Sequence, residues 1–181
     1  MAPNATVYHL EVGLSDVDRG VYESLDLRVA RHPSETVRYM LIRTIAYCLS
    51  YEEGIAFSKG GLSTADEPPL SIDDPTGNRR AWIDVGTPSA ERLHRASKAT
   101  PRVELYTAAD IIALRREASS RPIHRLADIV VWRIAPALLD AVEPKIAKHT
   151  KLEIVRNEGL LYVTLDGATL EGPIERLSLV S

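Results

Sequence analysis

The sequence contains a single cysteine and lacks both a long apolar run and a recognisable leader. Cys48 has no possible partner within the 181-residue chain, so no intrachain disulfide can form and a reducing compartment is expected. No apolar run approaches the roughly 18 residues of a membrane span, and the opening MAPNATVYHL has no basic segment followed by an apolar one. We therefore expect a single cytoplasmic domain over residues 1–181 that makes no contact with a membrane.

Motifs that carry common chemistries are also missing. Neither a P-loop nor a GxGxxG dinucleotide motif occurs, and no GxSxG nucleophile elbow is present. The histidines are scattered along the chain, at His9, His32, His94, His124 and His149. Cys48 is expected on the core face of a helix. This position and the scatter of the histidines both argue against a zinc site or a Cys–His catalytic pair.

Charge is unevenly distributed along the chain, although the net charge is only −3. Residues 1–78 carry twelve acidic and six basic side chains, whereas residues 79–125 carry ten basic and five acidic ones. The segment 79–125 is therefore expected to form a basic surface beside the acidic loop 66–74. Such a surface could contact nucleic acid; the alternative is an ordinary solvated charged face.

The N-terminal region predicts a β-hairpin followed by a helix. Apolar and polar residues alternate over 8–14 and again over 25–29, on either side of a turn. Ser34 is expected to cap the helix, whose apolar residues recur at i, i+3 and i+4 through Leu49 and which is expected to end at Gly54.

The rest of the chain alternates strands and helices. Strands are predicted at 55–59, 70–72, 80–86, 102–106 and 128–132, and helices at 88–99, 107–118 and 136–142, with Ser89 and Thr107 as helix caps. A second hairpin is expected at 151–165 and a last strand at 173–180. This order predicts an α/β (α+β) fold: a mixed central sheet flanked by helices, with N- and C-terminal β-hairpins.

Carboxylates are the strongest candidates for chemistry. Asp84 lies near the carboxyl end of an apolar strand, where it needs an arginine, N–H donors, a metal ion or access to water. Asp66 and Glu67 lie in the preceding loop, and Glu35 is expected in the first turn of the N-terminal helix. Oxygen ligands from these places would suit Mg²⁺ or Mn²⁺. The alternatives are a structural salt bridge for Asp84, a solvated loop for Asp66 and Glu67, and a helix-start ion pair for Glu35.

Basic residues on the helix after Asp84 are candidates for offsetting negative charge. Arg92, His94, Arg95 and Lys98 all lie there, and one of them could reach back to the strand end. A cation beside carboxylates and a metal ion is what phosphodiester hydrolysis requires. The alternative is that they are ordinary surface charges of the helix.

Three segments resemble the YaeQ family of bacterial proteins. They are Arg31-His32-Pro33-Ser34-Glu35-Thr36, Asp66-Glu67-Pro68 and Trp82-Ile83-Asp84-Val85-Gly86-Thr87-Pro88, and the resemblance extends over nearly the whole chain. It implies a restriction-endonuclease-like α/β roll, the scaffold of PD-(D/E)xK nucleases. The helix–strand–edge–strand–helix–strand order agrees with that core.

Carried over to this sequence, the resemblance implies a metal site and a catalytic site. Asp84 matches the acid of the central strand, and Glu35 matches the helix acid. The acid of the preceding hairpin is matched by Asp66-Glu67 or by Asp73-Asp74. Gly86 stands where the motif has lysine, so the cation is expected from Arg95, Lys98 or Lys59.

The sequence thus predicts a divergent Mg²⁺- or Mn²⁺-dependent nuclease. Its catalytic residues would be Asp84, Glu67, Glu35, Arg95 and Lys98, and its metal ligands Asp84, Glu67 and Asp66. The alternative is a non-catalytic module on the same scaffold that binds nucleic acid or protein. A role linked to transcription would belong to this alternative.

Overall fold

The computed structural model describes residues 4–59 and 66–181. The chain divides into two compact units, each made of two stretches: Met1–Tyr51 with Ile134–Ile174, and Glu52–Arg133 with Glu175–Ser181. The expectation of a single domain over 1–181 stays a prediction. In the described part of the chain, no helix has both the length and the apolar character that crossing a membrane requires.

The first unit contains the strands β1 Thr6–Asp16, β2 Val21–Arg31, β8 His149–Asn157, β9 Leu160–Leu165 and the first part of β10 Ala168–Ser178. They lie in the order β2-β1-β8-β9-β10 in a mixed sheet. Strand β1 pairs antiparallel with β2 and parallel with β8, and the hairpin β8–β9 continues antiparallel into β10. The predicted N- and C-terminal hairpins are therefore confirmed.

Buried and exposed residues alternate along β1 and β2, so one face of the sheet is buried and the other is exposed to solvent. Leu10, Val12 and Leu14 on β1 are almost fully buried, as is Leu27 on β2. Two helices belong to this unit, α1 Val37–Leu49 and α4 Pro136–Val142, the latter matching its predicted range.

The ends of α1 differ from the predicted ones. The N-cap is Thr36, whose hydroxyl accepts from the Tyr39 N–H, whereas Ser34 hydrogen-bonds His32 instead. The helix ends at Leu49 with Ser50 as C-cap. Gly54, the expected end, lies in the following turn at φ +94°, where a Cβ would come within 2.1 Å of the Asp73 carbonyl oxygen.

The strands of the second unit pair partly antiparallel and partly parallel. Its elements are β3 Ile55–Phe57, β4 Leu70–Asp73, β5 Arg79–Val85, α2 Ala90–Ala99, β6 Arg102–Thr107, α3 Ile111–Ala118 and β7 Val130–Ile134. Strands β3, β4 and β5 pair antiparallel, and β5, β6 and β7 pair parallel. The core contains Trp82, Leu93, Leu105, Val131 and Leu179.

Most predicted elements of this unit are confirmed, with shifted boundaries. Ser89 caps α2 as predicted, but α3 is capped by Asp110 and not by Thr107, whose hydroxyl accepts from the Ala109 N–H. Residues Leu126–Asp128 form a 3₁₀ turn, so β7 begins later than predicted, and β10 begins at Ala168, before the predicted 173. The α/β class with mixed sheets is confirmed; the restriction-endonuclease-like roll stays a prediction.

Candidate functional site

Asp84 is a buried carboxylate near the carboxyl end of β5, with only 2% of its surface exposed. Its Oδ1 accepts from the Val85 backbone N–H at 3.0 Å. Its Oδ2 accepts from Trp82 Nε1 at 3.0 Å and from Arg92 Nε at 2.6 Å. Both oxygens thus have donors, and the negative charge has a guanidinium beside it.

The start of α2 positions Arg92 for this ion pair. The Ser89 hydroxyl accepts from the Arg92 backbone N–H, which fixes the first turn directly after the end of β5. The guanidinium lies 5.3 Å from the centre of the Trp82 ring, and Nη2 donates to the Glu67 carbonyl oxygen at 2.8 Å. Arg92 therefore ties β5, α2 and the residue-67 loop together.

Asp66 and Glu67, the two other acids predicted as metal ligands, are solvent-exposed. Asp66 Oδ1 accepts from Arg95 Nη1 at 2.9 Å, and its side chain is 82% exposed. Arg95 also pairs with Glu91 one helical turn earlier. The Glu67 carboxylate accepts from the Ser58 hydroxyl at 3.3 Å. Contacts of Arg92 and Arg95 on α2 thus connect the residue 66–67 loop with Asp84. The carboxylates of Asp66, Glu67 and Asp84 are nevertheless not close enough together to bind one metal ion.

Two predicted residues lie apart from this network. Lys98 is exposed on the last turn of α2. Glu35 belongs to the first unit, where it precedes α1 instead of lying in its first turn. Its carboxylate is buried and accepts from Arg43 Nη2 at 2.8 Å and from the His32 backbone N–H at 3.2 Å. This arrangement is that of a satisfied buried ion pair.

The donor set around Asp84 fits a guanidinium better than a hard cation. Mg²⁺ and Mn²⁺ require several oxygen ligands around one point. Among residues 4–59 and 66–181, the one group of three metal-ligating side chains close enough to share an ion is elsewhere, at His9, Glu11 and His149. A metal ion on Asp84, Glu67 and Asp66 would require Arg92 to withdraw, and it stays a prediction.

Many cations of the segment 79–125 have partners within the second unit. Arg79 pairs with Asp73, and Arg102 with Glu52 and Glu104. Arg115 donates to the Ser178 carbonyl oxygen. These contacts reduce the positive potential that the composition predicts for this segment.

Sequence reasoning identified Asp84 and named Arg92, with His94, Arg95 and Lys98, among the residues of the next helix that could reach back to the strand end. Arg92 is the third helical residue after the Ser89 cap, so it lies closest to the strand end, whereas Arg95 and Lys98 lie further along α2. Trp82 was missed as a donor, although residues two apart on a strand share a face. Both signals were present in the sequence.

The fold is that of an α/β protein with mixed strand pairing. Its site is a buried carboxylate on β5 that forms an ion pair with an arginine of the next helix, α2. A family model described as YaeQ protein matches residues 1–173. The chain belongs to the YaeQ family, which confirms the resemblance noted in the sequence.

Relatives of this family match over almost the whole chain. The uncharacterized protein YaeQ of Escherichia coli (strain K12) is 27% identical over 172 residues, covering 94% of both chains. The crystal structure of YaeQ protein from Pseudomonas syringae has a TM-score of 0.85 at 32% identity, covering 96% of each chain. That of YaeQ from Xanthomonas axonopodis pv. citri has a TM-score of 0.84 at 26% identity, covering 96% of this chain and 98% of that one.

Proposed function

We propose that this protein is a non-catalytic nucleic-acid-binding module on a nuclease-like scaffold. In this proposal the outer surface of α2 contacts the phosphate backbone. The ion pair between Asp84 and Arg92 holds α2 in place and performs no chemistry.

The observation that carries the proposal is the convergence of two basic segments on one helix. Arg95, from α2, and Arg121, from the loop after α3, both approach the carboxylate of Glu91. Arg125 donates to the carbonyl oxygens of Ser97 and Thr100 at the other end of the helix. We call Arg95, Lys98, Arg121 and Arg125 the α2 face.

Charge and exposure on the α2 face suit a phosphate backbone. Its four cations outnumber the two carboxylates that form ion pairs with them, Glu91 and Asp66. The side chains of Arg95 and Arg121 are 42% and 49% exposed. Exposed ion pairs contribute at most about 1 kcal/mol, so these arginines can exchange a carboxylate for a phosphate, which they bind in bidentate geometry.

The state of Asp84 favours binding over catalysis. A catalytic acid needs an oxygen directed at a metal ion or a substrate, whereas both oxygens of Asp84 accept hydrogen bonds from within the protein. Replacing Arg92 by another ligand would first break a buried ion pair, which typically costs about 3–5 kcal/mol. The missing motif lysine at Gly86 points the same way.

Fluorescence anisotropy with labelled single-stranded DNA, duplex DNA and RNA over a series of salt concentrations tests the proposal. The double variant Arg95→Gln/Lys98→Gln should bind more weakly, and its log–log salt slope should fall by about 1 for each lost phosphate contact. The matched control is Arg28→Gln/Lys151→Gln, which removes the same charge from exposed positions of the first unit. Equal losses in both variants, or no binding of any probe by the wild type, would contradict the proposal.

The nuclease interpretation is tested on the same preparations. Supercoiled plasmid is incubated with Mg²⁺ or Mn²⁺ and either the wild type or Asp84→Asn, purified in parallel. We expect neither protein to nick the plasmid above the buffer control. Nicking by the wild type that disappears in Asp84→Asn would replace the binding proposal with the nuclease one.

A further inference from the structure

Two histidines and two carboxylates from three strands lie together on the solvent-exposed face of the first unit's sheet. His9 on β1 is directly opposite His149 on β8 in the parallel pairing. Glu11 is two residues further along β1, on the same face, and lies opposite Asp26 on β2. Three adjacent strands therefore bring these four side chains to one place.

The side chains already contact one another in a ligand-like arrangement. A ring nitrogen from each histidine and a carboxylate oxygen of Glu11 all lie within 4.8 Å of one another. A nitrogen–oxygen distance of 2.6 Å joins His149 Nε2 to Glu11 Oε2, and one of 2.5 Å joins His9 Nε2 to Asp26 Oδ1. The two imidazole rings stack with their centres 4.5 Å apart.

We propose that His9, His149 and Glu11 bind one divalent transition-metal ion, with Zn²⁺ the best match to the donors. Two imidazoles and one carboxylate form a mixed nitrogen–oxygen set, which suits Zn²⁺ and its first-row neighbours, whereas Mg²⁺ favours oxygen ligands alone. Asp26 would serve as the outer carboxylate that orients the His9 ring, as is usual for metal-bound histidines. This site does not depend on the function proposed above.

Binding would require only local side-chain movement. Ligand atoms of a tetrahedral zinc site lie about 3.3 Å apart, given metal–ligand bonds of about 2.0–2.1 Å. The ligand atoms must therefore approach by up to about 1.5 Å, and the stacked rings must rotate so that their nitrogens converge. The side chain of His149 is 59% exposed and that of Glu11 39%, so both are free to rotate.

Three protein ligands leave one position of a tetrahedral ion for water or a small ligand. Glu11 and Asp26 also line an open cleft of about 520 Å³ on the same face, together with Lys151. An ion at the cluster would therefore border a space that a small anionic molecule can enter. Lys151, directly opposite Glu11, is the charge that competes with the ion for that carboxylate.

Calorimetric titration of the tag-free chain with ZnCl₂ and CoCl₂, with MgCl₂ as contrast, tests the site. The wild type should bind one equivalent of Zn²⁺, show visible absorption bands with Co²⁺, and bind Mg²⁺ far more weakly. His9→Gln and His149→Gln should each lower the Zn²⁺ affinity by more than about tenfold, since loss of even an outer partner costs roughly 10–100-fold.

The matched control is His32→Gln, which removes a histidine of the same unit outside the cluster and should bind like the wild type. Glu11→Gln gives a third variant of nearly unchanged shape, and the melting temperature of each metal-free variant verifies that it folds. No saturable Zn²⁺ binding, binding retained in both histidine variants, or an equal loss in His32→Gln would overturn the proposal.

Discussion

A carboxylate inside an apolar strand needs donors for both of its oxygens, and Asp84 has three of them. The side chain of Arg92 is 15% exposed and that of Asp84 only 3%, so their attraction is little screened by water. Charge on the surrounding α2 face is much more exposed. The same helix therefore carries one ion pair that matters for stability and others that matter little.

Arg92→Ala tests this contrast. It leaves the Asp84 charge buried without its partner, so we expect a loss of about 3–5 kcal/mol in the free energy of unfolding. Arg95→Ala, one turn later, removes a cation whose partners Asp66 and Glu91 are exposed and should cost less than about 1 kcal/mol. Urea unfolding of both variants provides the measurement. Equal losses would show that the Asp84 pair is not the stabilising one.

Asp16 is a second buried carboxylate, and it predicts a pH dependence. Burial by itself would raise its pKa, but hydrogen bonds from Arg156 and Arg19 outweigh this and lower the pKa below its ordinary value. A group whose pKa is lower in the folded state stabilises the fold above its unfolded pKa, and the contribution disappears as the pH falls through the folded value.

The difference in unfolding free energy between wild type and Asp16→Asn should therefore be largest near neutral pH and shrink below about pH 4. Urea titrations at a series of pH values measure it. Glu23→Gln, at an exposed position of the same unit, is the control. A difference that stays constant down to low pH would contradict this assignment.

Cys48 is fully buried on α1, and burial raises the pKa of its thiol to about 12. Reaction with a disulfide or alkylating reagent needs the thiolate, so the native protein should not react at neutral pH. Ellman's reagent should release no colour from the folded protein and one equivalent after denaturation in guanidinium. Prompt reaction in the native state would show that α1 opens readily.

The partners of these residues were only partly foreseeable. The sequence dictates that Asp84 needs counter-charge, and proximity to a helix start favours Arg92. By contrast, the pairing of Asp16 with Arg156 spans 140 residues, and the cluster of His9 with His149 depends on parallel pairing of β1 with β8. Local patterns carry no information on such distant register, so scattered histidines gave no sign of a shared site.

At the scale of elements, the periodicity of apolar residues predicted which helices and strands are present. The residue at which a helix begins depended on which of two nearby capping residues acts as its N-cap. Ser34 and Thr36 are both good caps, but Glu35 between them is drawn into an ion pair with Arg43, so the helix begins after Thr36. Likewise Asp110 caps α3 in preference to Thr107, which is the last residue of β6. Such choices depend on tertiary contacts that a single sequence does not display.

The first hairpin offers a test of packing at this scale. Leu27 is 6% exposed on the core face of β2, directly opposite Leu10 on β1. Leu27→Ala should cost about 2–5 kcal/mol, because it removes a buried side chain and leaves a cavity. Tyr22→Ala, at a residue 61% exposed on the same strand, is the control and should cost much less. A loss below about 1 kcal/mol for Leu27→Ala would show that the site collapses or is poorly packed.

For the whole molecule, each compact unit is assembled from two separate stretches of chain. The sequence shows no linker, which is why one domain is predicted over residues 1–181. Long-range strand pairing produces the division instead, as when β8 returns to β1 in the first unit. Composition and local periodicity describe neighbours along the chain, so they cannot reveal such a partition.

The last seven residues provide the final test, because they complete the core of the second unit. Leu179 is 4% exposed and packs with Trp82, Leu93 and Leu105, although the family match ends at residue 173. Leu179→Ala should therefore lower the free energy of unfolding by about 2–5 kcal/mol, as for other buried leucines. The adjacent Val180, 41% exposed, is a matched control, and Val180→Ala should change stability by about 0.5 kcal/mol or less. Guanidinium unfolding followed by tryptophan fluorescence would report the change, since Trp82 lies in the same core. If both variants unfold at the wild-type midpoint, the C-terminal segment is dispensable and the core of the second unit closes without it.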